Sequence, residues 1–413
     1  MVVNVPVLPK RPGSGKLAMD PAIRAEFPML RRLVHDMPMV YLDSASTSLK
    51  PRSVLEAIRF YHEEITANVH RSTHPLGEAA TLHYEGARGC VAQFLGGRPD
   101  ELVFVRNTTE AINLVAMGLG LKEEDEILIT PLEHHSNQLP WLTRVRVVYL
   151  PLDAAGLPDE ELLEGLITPR TRLLAVSLLS NITGARGHMK TWREVASRHG
   201  IPLLLDASQA AGHMGIDVAT LGCDFLAFSG HKVCGPTGIG ALWARRERLE
   251  KMAPTLLGGG MVHTSRLDGY SLKEPPWCFE AGTPNVEGAL GLAAALEFLS
   301  SLGMDEVAEH SLALGRRLKE GLAPLARLRL LAPGAGDRYG IASFTVDVPG
   351  LSAEAFGRLM ADSYGILLSA GRHCTHPYHD MLGLEATVRA STHVYTTSDE
   401  VEVFLAATRQ LVG

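Results

Sequence analysis

From about residue 100 onward, short, mostly apolar runs alternate with longer amphipathic stretches. The short runs are residues 102–105, 126–129, 145–150, 173–178, 202–205 and 225–228. Segments of that length that are mostly apolar on both faces suit strands of a parallel sheet covered by helices, where neither face meets water. Helices are predicted through 110–117 and 191–199. Strands that alternate with helices give an α/β architecture.

After about residue 285 the texture changes. Helices are expected over 286–302 and 305–322, followed by a loop rich in Gly and Pro at 332–336. Strands at 341–346 and 388–394 follow, with helices at 353–364 and 398–411. This reads as a smaller α+β unit. The expected division is a tail and arm over 1–40, a large α/β unit over 41–285 and a small C-terminal α+β unit over 286–413. A chain of 413 residues is long enough for two such units.

Charge adds exclusions. The net charge of -7 arises from 39 basic and 46 acidic residues. Such a chain has no global attraction for nucleic acid or an anionic membrane, so neither is expected as a partner. No apolar stretch reaches the roughly 18–20 residues needed to span a bilayer. Residues 1–19 carry Lys10, Arg11 and Lys16 but no acid, and are expected to be a tail. The five cysteines, Cys90, Cys223, Cys234, Cys278 and Cys374, are odd in number and form no CxxC pair. That argues against a disulfide framework and a standard zinc site, and for a reducing cytoplasm.

The most informative segment is Ser229-Gly-His-Lys232, which follows a buried run and precedes a Gly-rich loop. A lysine there lies at the sheet edge where α/β proteins bind ligands. Desolvation can strip its charge and make it a nucleophile toward an aldehyde. A turn lysine facing solvent is the alternative. Ser229 and His231 could hold a phosphate. Upstream, Asp206 ends another apolar run, and a buried carboxylate there needs a cationic partner such as a pyridinium nitrogen. It could instead cap the next helix. Asn107-Thr108-Thr109-Glu110 places a polar turn between strand and helix, either a phosphate cradle or an ordinary N-cap. His134, in Glu133-His-His-Ser, could stack on a flat ring.

In order along the chain these are a phosphate turn, a histidine, a carboxylate and a lysine. That order resembles fold-type I pyridoxal-phosphate enzymes of the class V aminotransferase family, from about Tyr41 to the C-terminus. Segments similar to its SUF-type (group II) cysteine desulfurase and selenocysteine lyase branch are Val69-His70-Arg71-Ser-Thr-His74, Glu133-His-His-Ser-Asn137, Ser180-Asn181-Ile-Thr-Gly184, Ser229-Gly-His-Lys232 and Phe279-Glu-Ala-Gly-Thr283-Pro-Asn285. The resemblance implies a seven-stranded, mostly parallel sheet and pyridoxal 5'-phosphate as cofactor. It implies that Lys232 holds the cofactor covalently, His134 stacks on its ring and moves protons, Asp206 pairs with the ring nitrogen, and Gln209 meets its phenolic oxygen. Thr108, Thr109, Ser229 and His231 would bind the phosphate. Thr283 would reach the phosphate of a second subunit in a homodimer. His70, Asn181, Arg372 and Arg389 would bind substrate, with Arg389 on its carboxylate.

Cys374 lies in Ser369-Ala-Gly-Arg-His-Cys-Thr-His-Pro-Tyr378 and matches the family's sulfur-accepting cysteine. His373, His376 and Arg372 are neighbours able to favour its thiolate. The branch usually has arginine where this chain has Ser369. The implied reaction converts L-cysteine to L-alanine with a persulfide on Cys374, supplying sulfur to an acceptor protein for iron–sulfur clusters or other biosynthesis. Selenocysteine lyase, or another lyase or epimerase of the family, is the alternative. No metal is expected, although residues 373–379 are rich in histidine.

Overall fold

The computed structural model describes residues 21–413. The tail expected over 1–19 lies outside them. Seven strands form the main sheet: β1 (Leu102–Val105), β2 (Glu126–Ile129), β3 (Arg146–Tyr149), β4 (Thr171–Ser177), β5 (Leu203–Asp206), β6 (Phe225–Ser229) and β7 (Gly240–Ala244). Their spatial order is β1-β7-β6-β5-β4-β2-β3. All neighbouring pairs are parallel except those of β7, which runs antiparallel to both β1 and β6.

Every residue of β1, β2, β5, β6 and β7 is buried. The alternation of side chains along each strand sorts them into two cores. Leu102, Phe104, Leu203, Leu205, Leu226 and Phe228 face one. Val103, Val105, Leu204, Phe225, Ala227 and Leu242 face the other. This double burial is why the sequence shows apolar runs rather than alternation.

A second sheet is antiparallel: β8 (Leu328–Leu330), β9 (Ile341–Val346), β10 (Ser369–Gly371) and β11 (Thr387–Ser391), in the order β8-β9-β11-β10. Its core includes Phe344, Phe356, Val388 and Phe404, and the N-terminal Val40 and Leu42 join it. Residues 40–41 pair in parallel with 366–367.

The helix Val286–Leu302, expected to open the C-terminal unit, buries Ala289, Leu292, Ala295 and Leu299 in the first core of the main sheet. It packs against the helices Arg52–Glu64 and Pro75–Phe94. Its apolar residues lie on all sides, so it needs cover all round. Among the described residues, no single helix is long and apolar enough to cross a membrane.

Candidate active site

Four parallel strands end at one edge of the main sheet, and each end is followed by polar residues. Asn107 and Thr108 follow β1, and His134 follows β2. Asp206 is the last residue of β5, and Ser229 of β6. Together with Cys374 and Arg389 they line a cavity of about 400 Å³. It lies at the carboxyl ends of the strands, where open α/β sheets bind ligands.

Lys232 sits one short turn beyond β6 and lines this cavity. Burial pushes its ammonium below the ordinary lysine range, while Asp206 works in the opposite direction. A Cβ on Gly230 would meet Pro236 O at 2.9 Å, so the turn that delivers Lys232 has no room for a side chain there. Asp206 is buried, and its Oδ1 accepts from the Ser208 N–H at 2.8 Å. Gln209 Nε2 donates to Ala45 O at 2.9 Å.

Asn107 caps the helix Thr108–Gly118 by accepting from the Glu110 N–H at 2.9 Å. The first turn of that helix faces a cluster of hydroxyls. Thr108 Oγ1 lies 2.7 Å from Ser208 Oγ and 2.8 Å from Ser229 Oγ, and Thr108 N–H donates to Ser229 Oγ at 2.9 Å. Thr109 Oγ1 lies 2.7 Å from Ser136 Oγ. A helix start with clustered hydroxyls is a natural anion cradle.

Three imidazoles line the cavity, and burial favours the neutral form of each. Burial lowers His134 to about 3, with Lys232, His135 and Arg389 adding to the effect. The Ser136 N–H donates to His134 Nδ1 at 3.1 Å, so the proton of the neutral ring sits on Nε2. Burial lowers His231 to about 4, with Lys232 and Lys50 contributing.

Arg389, on β11, is buried and lowered in pKa by that burial. Its Nη1 donates to Asn181 O at 3.0 Å and its Nη2 to Ser46 Oγ at 2.7 Å, with Asp43 3.6 Å away. Its Nε is buried without a hydrogen-bond partner. A buried guanidinium with a spare donor beside a cavity suits a carboxylate ligand. Asn181 Nδ2 donates to His373 O at 3.0 Å, so one residue meets the arginine through its backbone carbonyl and the cysteine loop through its side chain.

Cys374 is exposed, on a loop where His373 and Cys374 both take left-handed backbone angles, φ 48° and 56°. The neighbours expected to favour its thiolate behave otherwise. Arg372 does not line the cavity; its guanidinium pairs with Asp380 at 2.8 Å and donates to Glu385 O at 3.0 Å. Its exposed neighbours satisfy it before it can reach substrate. Burial lowers His373 to about 3, and its Nε2 donates to Thr387 O at 3.1 Å. Among the described residues, no group of three or more His, Cys, Asp or Glu is arranged to hold a metal.

His70 and Thr283 also lie elsewhere. They line a second cavity of about 120 Å³ with Arg71 and Lys273, and His70 Nε2 contacts Glu85 at 3.1 Å. Sequence reasoning missed Ser46, Ser136, Ser208 and His373 as lining residues. Ser208 was legible as a hydroxyl two places from Asp206; Ser46, far away in sequence from Arg389, gave no local signal.

The aminotransferase class-V family model matches residues 40–404. The chain belongs to that family. A probable cysteine desulfurase of Halalkalibacterium halodurans is 41% identical over 403 residues, covering 95% of this chain and 98% of the relative. The apo structure of a cysteine desulfurase from Thermococcus onnurineus NA1 matches with a TM-score of 0.89 at 39% identity, covering 95% of this chain and 98% of that one. A variant of C-DES with glycine covalently linked to its PLP cofactor matches with a TM-score of 0.78 at 25% identity, covering 93% and 98%. The sheet order of this class-V family member is thus that of fold-type I enzymes.

Proposed function

We propose that this chain is a pyridoxal-phosphate-dependent cysteine desulfurase that turns L-cysteine into L-alanine and leaves a persulfide on Cys374. The observation that carries this reading is one cavity lined by a half-buried lysine, a buried carboxylate, a buried guanidinium and a cysteine: Lys232, Asp206, Arg389 and Cys374.

The donor set fits the cofactor. Lys232 would hold it covalently. Asp206 would pair with its ring nitrogen, and Gln209 would meet its phenolic oxygen. Thr108, Thr109, Ser229 and His231 would hold its phosphate, and the hydroxyl cluster at the helix start supports that role. When bound, pyridoxal phosphate supplies an electron sink for negative charge on the substrate carbons.

The residues of the chain do the rest. Arg389 fixes the substrate carboxylate through its spare donor. Lys232, eased toward the neutral amine by burial, takes the Cα proton. The Cys374 thiolate attacks the substrate sulfur. A sulfur–sulfur bond forms, the carbon–sulfur bond breaks, and its electron pair stays on carbon, which takes up a proton on the way to alanine. His134, neutral with its proton on Nε2, carries protons between these sites.

Several finer assignments belong to the same proposal. They are a homodimer in which Thr283 and His70 serve the facing subunit, a protein acceptor for the sulfur, and work in the cytoplasm. The free state of all five cysteines supports the last. The division of the chain near residue 285 into a large and a small unit is proposed with them, the helix Val286–Leu302 packing on the large one.

The test is intact mass after treatment with cysteine. Wild-type protein is expected to gain one sulfur, and Cys374→Ser to gain none while still binding cofactor and substrate. Alanine release from the serine variant at the wild-type rate would refute the reading. Selenocysteine turned over by that variant, with cysteine inert in both proteins, would point to a lyase instead.

A further inference from the structure

Two left-handed residues in succession, each with a Cβ, do not hold their shape unaided. The Cys374 loop therefore depends on its tethers. On the inner side, His373 Nε2 donates to Thr387 O and Asn181 Nδ2 donates to His373 O. Within the loop, the Thr375 N–H and Oγ1 both donate to Arg372 O at 2.9 Å. On the outer side there is a different kind of connection. The His135 N–H donates to Cys374 O at 2.9 Å. His376 Nδ1 lies 2.7 Å from His135 Nε2, and the two rings stack with centroids 4.5 Å apart at 23°. One ring nitrogen donates and the other accepts, so a single proton joins them.

His135 belongs to the segment after β2, and His376 follows the reactive loop, 241 residues later. His135 thus bolts the cysteine loop to the main sheet at two points, its backbone N–H on the carbonyl of residue 374 and its ring on the side chain of residue 376. Neither histidine lines the cavity, so neither touches substrate there.

We propose that His135 and His376 are positioning residues, a two-imidazole clasp that holds the Cys374 loop in reach of the substrate sulfur. The proposal rests on the desulfurase reading. Attack on sulfur needs the reacting atoms at about 3–3.5 Å, and small misplacements of a nucleophile cost rate steeply. The clasp limits how far the loop strays during that step.

The experiment compares His135→Ala, His376→Ala, the double variant and His376→Asn, each as holoenzyme. The alanine variant at residue 135 keeps the backbone bond to Cys374 O and deletes only the ring. Three readouts are taken: hydrogen exchange of peptides spanning 372–377, the single-turnover rate of persulfide formation, and KM for cysteine. Each single alanine variant is expected to exchange faster at 372–377 and to form persulfide about tenfold more slowly. KM and cofactor content stay at wild-type values, and His376→Asn recovers most of the rate. The double variant is expected to be no worse than either single, because all three lose the same bond. Wild-type exchange and rate in both singles would overturn the clasp, as would losses that multiply in the double variant. A wild-type enzyme that forms no persulfide would instead refute the desulfurase reading, and the exchange comparison would still decide the clasp.

Discussion

Arg389→Lys is the most discriminating substitution for the substrate grip. The guanidinium spends Nη1 on Asn181 O and Nη2 on Ser46 Oγ, and keeps a buried Nε without a partner. A lysine keeps the charge but has neither the planar fork nor the reach to serve all three directions. A hydrogen bond to a charged group contributes about 1.5–3 kcal/mol. Losing one such bond to the substrate carboxylate lowers kcat/KM by about 10–150-fold, since 1.4 kcal/mol is a factor of ten. The carboxylate is gripped equally before and during the reaction, so the loss is expected in KM more than in kcat. Alanine release against cysteine concentration measures both. Thermal melting of the variant guards against misfolding, because Arg389 also bonds to Asn181. A folded variant with kcat/KM within about threefold of wild type, less than the loss of one such bond, would refute the assignment of Arg389.

Two further outcomes are expected. Lys232→Ala should leave no cofactor covalently fixed after borohydride treatment, while wild-type protein retains the added mass; a fixed cofactor in the variant would remove Lys232 from its role. Cofactor-free protein should lose thermal stability below about pH 6.5, the ordinary histidine value. Burial depresses His134 and His373 to about 3, and His213 and His231 to about 4. The native state therefore binds fewer protons than the unfolded chain, and the stability these groups contribute is lost as pH falls from 6.5 toward 3. Glu85, held down to about 2 despite burial by bonds from His70 and Arg88, adds to the loss below its ordinary range. Glu133, raised to about 7 by burial, acts oppositely and lowers stability as pH climbs through 7. Melting temperature is expected to peak near neutrality; a flat profile from pH 7 to 4.5 would contradict this.

The strands were legible where both faces are buried. Residues 102–105 and 126–129 match β1 and β2, because a short apolar run between polar turns has few other uses. The helix Ala353–Tyr364 also matches its sequence span, with Ser352 capping it and Gly365 ending it. By contrast, β7 was hidden behind the glycines that precede it. Gly240 opens the strand because a Cβ there would meet Phe228 O at 2.6 Å, a packing constraint that reads locally as a loop. The helices Arg52–Glu64 and Pro75–Phe94 went unplaced in a polar stretch whose apolar positions pack largely against the distant Val286–Leu302. At the site, Lys232, Asp206, His134 and Cys374 stand out because each follows or ends an apolar run or sits in a Gly-flanked loop. Arg372 misled because sequence proximity to Cys374 does not reveal that Asp380, farther along the chain, takes its guanidinium.

The contact between Arg389 and Ser46 spans 343 residues. A chain emerging from the ribosome therefore carries one wall of its pocket for most of its synthesis before the opposite wall exists. Lys232 can take its place at the end of β6 well before the guanidinium that would select an amino acid is made. Maturation of this protein is thus a problem of timing. The main sheet can close early, yet selectivity arrives only with the last strand, and a chain cut short before β11 would keep an amine without a gatekeeper.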